Sequence, residues 1–557
     1  MLNTLLQAKS DKIFVVDFNK EWPNKSIFIG IGFTSDVVII GQRGWDEAKS
    51  KFLFSSQDLI SGRFLGLEVV SQNEVIVFCD PMVQDSIFYW ECNATGNLVV
   101  SNSYLYLLKY LADNNYNIVV NDAIFSGFKL FSGSSLASQL FQYDTPVNNI
   151  SILKRGQLIS VKRTVHSFNY NFLPLNLNLS CNYFESILAF INNYRGCYNE
   201  LESNHLCGFQ CDLSGGRDSR INFGILAASL NKTSNLNIHS RKKKKEEFLL
   251  AKKVAESKGW SLSSKKCKSL INREFRIPNN FELVINWLFG SVGLYLPFYF
   301  GGGRFNSQWI KIHGGNFVAD YFAKFTPSEN ITRIRNGLQN IKIKDVHIEK
   351  LVYGFENYFE SHDLDLNQRS SMQHHYIDFR SRFHYGRNWT VSYYAPMLTP
   401  LIDQYLFHAF HNCKGNVSDF YSDLFLAVDP SLLNEPFDNP NKNIPIEKLY
   451  SSVFWEKNSN DFSINPTNYK VYGDFSGYSQ PYVYEPPNLY QETHMSINEI
   501  ILVLYDELSP FALSSGHFSR DEISRGRNEL FTSKKLSHDA RLASMILQTG
   551  IIYFIVN

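Results

Sequence analysis

The chain is expected to be an α/β protein in two unlike halves: an αββα stack of sheets, then a doubly wound parallel sheet with helical additions. Three observations predict this. Residues 1 to about 165 carry closely spaced β-branched and aromatic runs, at Ile13–Asp17, Ser26–Gly32, Val37–Ile40, Gly66–Val70 and Glu74–Phe78. Such a density, broken by turns, suits sheets packed on one another. From Tyr183 onward apolar strands alternate with helical stretches, the pattern of parallel strands joined by crossover helices. Near the start of that second half, a glycine turn joins a strand to a helix at Asp212–Arg220.

The totals set limits. With 557 residues the chain exceeds one ordinary core, and two or three domains are expected. Its 44% hydrophobic and 19% charged residues describe an ordinary globular composition. A net charge of +1 excludes global electrostatic attraction to nucleic acid or membrane. The eight cysteines are scattered without a Cys-x-x-Cys pair, and the start lacks a basic region followed by a long apolar core. A reducing, cytoplasmic compartment is expected. Cys207 and Cys211 stand four apart, so in a strand both face one way, as core thiols do. Two uncharged stretches, between Glu282 and Arg304 and from Leu542 to the end, are broken by polar residues such as Asn286, Gln548 and Thr549 and by Pro297, so no spanning helix is expected.

The turn is the most informative stretch. His205–Cys211 reads as a buried strand and Ile221–Leu230 as a largely apolar helix. Between them run Leu213, Ser214, Gly215, Gly216, Arg217, Asp218 and Ser219. Gly215 and Gly216 let the backbone turn without a Cβ penalty, so successive N–H groups can converge on an anion at the positive end of the helix. Ser214 and Ser219 add hydroxyl donors, and Asp218 can cap the helix or reach a metal ion. A plain strand-to-helix turn is the alternative. The Gly-Lys-Ser/Thr ending of a Walker A loop is absent.

This stretch resembles the SGGxDS signature of the PP-loop ATP pyrophosphatase ligases, and with Leu213 it is most similar to the asparagine-synthetase branch. The resemblance implies ATP held at its pyrophosphate end and cleaved between the α and β phosphates, with Mg²⁺ on Asp218. It also implies that the backbone near Ile238, in the next strand Asn235–Ser240, borders the adenine.

The first half adds weaker matches in the family order. Ser61-Gly62-Arg63-Phe64, then Cys79–Trp90, look like the glutaminase-type Ntn domain that opens asparagine synthetases. Leu98–Ser101 and Leu105–Leu111 resemble its next strand and helix, and Ile152–Ser160 a hairpin near its end. The family's catalytic cysteine follows the initiator methionine; here that residue is Leu2, and the first cysteine is Cys79. Glutaminase chemistry is therefore expected to be missing, and nitrogen to come from free ammonia, a separate glutaminase or an amine on the substrate. The expected divisions are 1–170 for this domain, 171–182 for a linker, 183–410 for the ATP-binding domain and 411–557 for its C-terminal extension. The uncharged, asparagine-rich run after Ser167 suggests the linker.

Later residues are assigned by the same resemblance. His313-Gly314-Gly315-Asn316 stands where the family has a glycine turn with an Asp-Glu pair, so Mg²⁺ would rest on Asp218 and the carbonyl of Asn316. Pro396 occupies the place of the family's proton-handling Glu, before a Pro400–Leu406 segment similar to the family's. His384 and Tyr385 are candidates for the vacant base, and Arg382 and Arg387 for binding a substrate carboxylate. Each can equally be a helix-surface residue. Lys442 is the candidate for the late lysine that steadies charge on acyl-phosphate oxygens. The run Arg241–Lys245 is either a solvated loop or a basic lip for an anionic second substrate.

The expected activity is ATP-dependent amide formation: a carboxylate is adenylated and transferred to ammonia or an amine, and ATP leaves as AMP and pyrophosphate. The three departures from the family make aspartate a poorer candidate than another carboxylate, and the arginine- and aromatic-rich segment 380–394 with the basic run 241–245 favours a uronic-acid sugar of a surface polysaccharide. Lasso-peptide or β-lactam-type cyclisation is an alternative, and so is a degenerate nucleotide-binding or scaffolding protein. Sulfur transfer to tRNA would want a cysteine pair and a basic face, and neither is evident.

Overall fold

The computed structural model describes residues 12–92, 95–130, 136, 140–165, 167–175, 181–204, 207–231, 235–263, 285–286, 288–292, 309–315, 324–384, 392, 396–456, 464–478, 497–532 and 538–557. Over these residues the protein is mixed α/β with three sheets.

Two sheets come from the first half. β1 (Val15–Asp17), β6 (Phe88–Cys92), β7 (Asn97–Ser101) and β8 (Ile150–Ile152) form one, in the order β1-β7-β6-β8. The other contains β2 (Ile27–Phe33), β3 (Val37–Ile40), β4 (Ser61–Ser71), β5 (Glu74–Cys79), β9 (Gln157–Arg163) and β10 (Phe168–Pro174). Period-two alternation decides the layering. Leu65 and Leu67 of β4, Val75 and Val77 of β5, and Ile159 and Val161 of β9 meet Tyr89, Leu98 and Val100 of the other sheet in one core. Phe64, Ile76, Phe78 and Leu158 turn the opposite way and pack with Trp45 and Ala48 of α1 (Gly41–Lys51). Phe88, Trp90 and Val99 meet Leu105 and Leu108 of α2 (Tyr104–Asp113) and Ile124 and Phe125 of α3 (Asp122–Phe128). The layers are thus helix, sheet, sheet, helix.

The Ser61-Gly62-Arg63-Phe64 segment lies in β4 with two evident demands. Gly62 has φ +119°, and a Cβ there would fall 2.2 Å from the Ile31 carbonyl, so only glycine fits. Arg63 is 2% exposed and pairs with Asp85, 3% exposed, at 2.6 Å.

Two sequence expectations need correction. Ile152 and Ser160 are not arms of one hairpin, because β8 pairs with β6 while β9 pairs with β5 in the other sheet. The expected linker is partly strand: β10 pairs antiparallel with β9 from Phe168↔Arg163 to Pro174↔Gln157. Phe168, Tyr170 and Phe172 alternate onto the sandwich core, and the intervening asparagines face outward.

The second half begins with α4 (Tyr183–Ser203), capped by Asn182 and Glu185 in a reciprocal box. It leads into an all-parallel sheet of β11 (Gly208–Asp212), β12 (Leu236–His239), β13 (Trp309–Ile312) and β14 (Met397–Leu398), ordered β12-β11-β13-β14. Phe209, Cys211, Ile238, Ile310 and Ile312 share a core with Ile221 and Leu226 of α5 (Arg217–Ser229) and with Ala251 and Val254 of α6 (Lys245–Ser257). Cys211 is buried and Cys207 packs at the same core, as their spacing predicts.

Residues 411–557, expected to extend this second half, divide their contacts. Phe420, Leu424 and Phe425 of the helix Val417–Val428 join the parallel-sheet core. β15 (Lys470–Gly473) instead pairs parallel with β3, completing a seven-stranded sheet in the first half. Leu504 and Leu508 of the helix Ile497–Ser514, with Leu542 and Ile546 of the helix His538–Val556, pack in the core that holds α2. Among the described residues no helix is long and apolar enough to cross a membrane.

The halves are joined by buried polar contacts. Ser61 Oγ donates to Asp403, which also caps the helix Gln404–Asn412. Arg155 Nε donates to Asp378 at 2.7 Å, within a π-helical turn, Tyr376–Ser381. Tyr358 donates a further 2.7 Å bond to Asp378.

Candidate functional site

The strand order reverses at β11. From β11 the chain moves to β12 on one side, then crosses to β13 on the other. Such a reversal leaves a crevice beyond the carboxyl ends of the strands, the usual ligand position in open parallel sheets. Leu213 carries the chain out of β11, its N–H donating to the His239 carbonyl at 2.9 Å. The Ser214 N–H then donates to Ser219 Oγ at 3.0 Å, the two hydroxyls lie 2.9 Å apart, and the Gly216 N–H donates to Ser214 Oγ at 3.2 Å. These bonds close the turn. Gly216 is the N-cap of α5 and has no side-chain cap to offer, so the helix opens with its positive end uncovered by a cap.

The two glycines have different reasons. A Cβ on Gly215 would meet Asp438 Cβ at 2.5 Å, and the Asp438 N–H donates to the Gly215 carbonyl at 3.0 Å. A Cβ on Gly216 would have only Ser214 Oγ at 3.3 Å and Lys442 Nζ at 3.9 Å nearby. The space over Gly216 is thus bordered by a hydroxyl and an ammonium, a donor set that fits phosphate oxygens.

A strap formed by residues 429–443 delivers Lys442. Arg220 is fully buried and donates to the carbonyls of Leu432 at 3.2 Å, Glu435 at 2.6 Å and Pro436, while lying 4.3 Å over the Phe437 ring. Burial lowers its pKa to about 10. Arg217 Nε donates to the Lys442 carbonyl at 2.8 Å, and Lys442 Nζ pairs with Asp438 Oδ1 at 2.9 Å. Asp218 accepts a 2.8 Å bond from the Tyr421 hydroxyl. Sequence reasoning singled out Lys442 and the turn separately, and the fold brings them together.

Sequence reasoning assigned no role to three of these groups. His239 Nδ1 lies 3.2 Å from Asp212 Oδ1 at the carboxyl ends of β12 and β11. Burial works to raise the Asp212 pKa, but the His239 bond and the charges of Lys311, His239 and His313 outweigh it and hold it below the usual range. Asp212 adjoins the glycine turn and His239 ends the neighbouring strand, and that shared position was the available signal. Asp438 had no such signal, being distant in sequence.

Other candidates fall elsewhere. Arg382 is 2% exposed and donates to the Leu153 carbonyl at 2.9 Å; Leu153 belongs to the sandwich core. Burial and this bond fix Arg382 where the two halves meet. The Ile238 N–H donates to Ser263 Oγ at 3.1 Å and its carbonyl accepts from the Ser263 N–H at 2.8 Å, so both outward groups expected at the adenine are occupied. His313 follows β13, with its N–H on the Leu398 carbonyl and its own carbonyl accepting from Asn222 at 3.3 Å. Gly314 is exposed with open space around it, and Gly315 is buried. Pro396 precedes β14, its carbonyl bonded to the Lys311 N–H at 2.9 Å. Asn316, Tyr385 and Arg387 lie outside the described residues, as does the side chain of His384. Among the described residues no three ligating side chains form a metal cluster. The run Arg241–Lys245 is exposed, just beyond the carboxyl end of β12.

A wide cleft of about 1590 Å³ lies apart from this site, in the first half, lined by Lys12, Trp22, Gln42, Arg43, Lys49 and Asp474 among others, with no cysteine. The polar groups around the turn, rather than the size of that cleft, mark the candidate site. No family model and no curated protein matches the chain.

Proposed function

We propose that the protein is an ATP-dependent amide-forming ligase of the asparagine-synthetase type, acting on a carboxylate such as a uronic-acid sugar and releasing AMP and pyrophosphate. One observation carries this reading. The turn Ser214–Ser219 stands at the carboxyl end of the central β11, opens a helix, and receives Lys442 from a distant strap. The nucleotide would supply the leaving pyrophosphate; the start of α5, the Ser214 and Ser219 hydroxyls and Lys442 would hold its oxygens in fixed positions, the Ser214 and Gly216 N–H groups being spent on closing the turn. Asp218, oriented by Tyr421, is the group that would bear Mg²⁺, together with phosphate oxygens. The sandwich half supports the reading through its helix-sheet-sheet-helix layering, shared with Ntn-type domains. Nitrogen would come from ammonia, a partner glutaminase or an amine on the substrate, in a reducing, cytoplasmic setting that suits the free cysteines among the described residues.

A second reading, a nucleotide-binding or scaffolding protein without turnover, is favoured by Ser263 occupying both backbone groups of Ile238 and by Pro396 standing where a proton-handling Glu would be. Pyrophosphate release separates them. On adding uronic acids, aspartate or peptides with ATP and Mg²⁺, the ligase releases pyrophosphate and Asp218→Ala abolishes it. No release with any acceptor, despite tight binding of α,β-methylene ATP, would leave the scaffold as the better account.

A further inference from the structure

The glycine turn contains one arginine, Arg217, in the first turn of α5. A cation at a helix N-terminus beside an anion site reads at once as a direct phosphate ligand. The geometry points elsewhere. Its Nε and one terminal nitrogen both donate to a single acceptor, the Lys442 carbonyl, the former at 2.8 Å. The guanidinium lies 4.9 Å over the Tyr421 ring and 5.8 Å from the Phe437 ring, which fixes its plane. Burial lowers its pKa.

We propose that Arg217 is a positioning residue: it pins the backbone of Lys442 to the start of α5 and so aims the Lys442 ammonium at the space over Gly216, while making no bond to the anion itself. The proposal rests on the ligase reading above. Three contacts restrict what Lys442 can do. Its carbonyl is held by Arg217, its N–H donates to the Asn439 carbonyl at 2.9 Å, and its ammonium is steadied by Asp438 at 2.9 Å. Only the side chain is left to move, and the Lys442 side chain is 42% exposed. A short swing from the Asp438 carboxylate would place the ammonium on a phosphate oxygen. Arg217 also stands opposite Asp218 in the same turn, whose carboxylate takes the Tyr421 hydroxyl. Tyr421 therefore contacts both residues that follow Gly216, its hydroxyl on one and its ring face under the other.

The test is titration of the full chain with inorganic pyrophosphate and Mg²⁺, with thermal melting of each variant as a folding control. Lys442→Met is expected to weaken binding about tenfold or more, the scale of one lost charge-assisted contact. Arg217→Met should weaken binding about tenfold when Lys442 is present, and less than about twofold in the Lys442→Met background. Arg217→Lys keeps the charge but cannot place two N–H donors on one carbonyl, so it should behave like Arg217→Met. This conservative variant carries the test if Arg217→Met melts early. Equal losses from Arg217→Met in both backgrounds, or full affinity in Arg217→Lys, would show Arg217 acting on the anion by its own charge and overturn the proposal. Wild-type protein that binds neither pyrophosphate nor α,β-methylene ATP would overturn the ligase reading instead, and the proposal with it.

Discussion

Asp438 donates its backbone N–H to the carbonyl of Gly215 at 3.0 Å, and its Cβ stands in the space a side chain at position 215 would need. The two residues are far apart in sequence, yet each sets the conformation of the other. The glycine turn cannot take its form without the strap, and the strap has no seat without the glycine.

Gly215→Ala should therefore act at a distance. The added methyl group meets Asp438 Cβ at 2.5 Å and must displace the strap, carrying Lys442 away from Gly216. The expected loss is about 1–3 kcal/mol of stability, the usual cost of overpacking, with a fall in nucleotide-analogue affinity. Thermal melting and titration with α,β-methylene ATP check both. Gly216→Ala presses at 3.3 Å only on the Ser214 hydroxyl, a side chain that can give by a few tenths of an ångström, and lies 3.9 Å from Lys442 Nζ; it should fold and lose affinity alone, because its methyl group would occupy the anion's space.

The Arg63–Asp85 pair gives a prediction about stability without reference to ligands. Both side chains are buried, and Arg63 Nη1 also reaches Met397 Sδ at 3.4 Å, across to β14. Arg63→Met leaves a buried carboxylate without its partner and should cost about 3–5 kcal/mol in denaturant unfolding. The combination Arg63→Met with Asp85→Leu should recover most of that loss, since two apolar groups leave no charge stranded. A double variant as unstable as the single one would mean that packing, and not charge, is the cause.

Two groups of buried or half-buried residues predict opposite pH limbs. Burial lowers the half-buried His374 to about 3, helped by the nearby Arg155, and the fully buried His375 to about 4. Folded values below the unfolded one mean stability that is present above about pH 6.5 and is lost as the pH falls toward 4. Burial and the neighbouring Asp85 raise Asp80 to about 7, and burial raises Asp403 to about 6. Folded values above the unfolded one mean stability that is full below about pH 4 and is lost as the pH rises through 6 to 7. Asp403→Asn should accordingly gain melting temperature relative to wild type on going from pH 5 to pH 8. His374→Phe should gain relative to wild type on going from pH 7 to pH 4. Melting curves that shift in parallel at all pH values would refute the assignment.

Much of the secondary structure was readable because local rules and tertiary contacts agree. The runs at Val37–Ile40 and Glu74–Phe78 are strands, and the turn after Asp212 does open a helix. Reading failed where the local pattern is ambiguous or a side chain's partner is set by the fold. Phe168–Pro174 alternates aromatic residues with asparagine, and without a charge to mark its outer face it reads as linker, though it pairs with the neighbouring β9. Arg382 has the chemistry of a carboxylate ligand, and only the fold shows it buried with a donor on the Leu153 carbonyl. Lys448, close behind Lys442 in the chain, pairs with Asp419, a contact that sequence spacing does not reveal.

The composition and order of residues were enough to establish an α/β chain with sheets first and parallel strands after, and to mark the strand-turn-helix at Asp212–Arg220. Those features depend on periodicity and on glycine's freedom of backbone, which act within a few residues. Folding alone decided that β15 returns to the first sheet, that Lys442 stands over Gly216, and that Arg217 and Asp438 hold it there. Apart from the local Asp438–Lys442 pair, those contacts join residues more than two hundred positions apart, and in a packed interior such neighbours are chosen by shape, hydrogen bonds and charge across the whole chain.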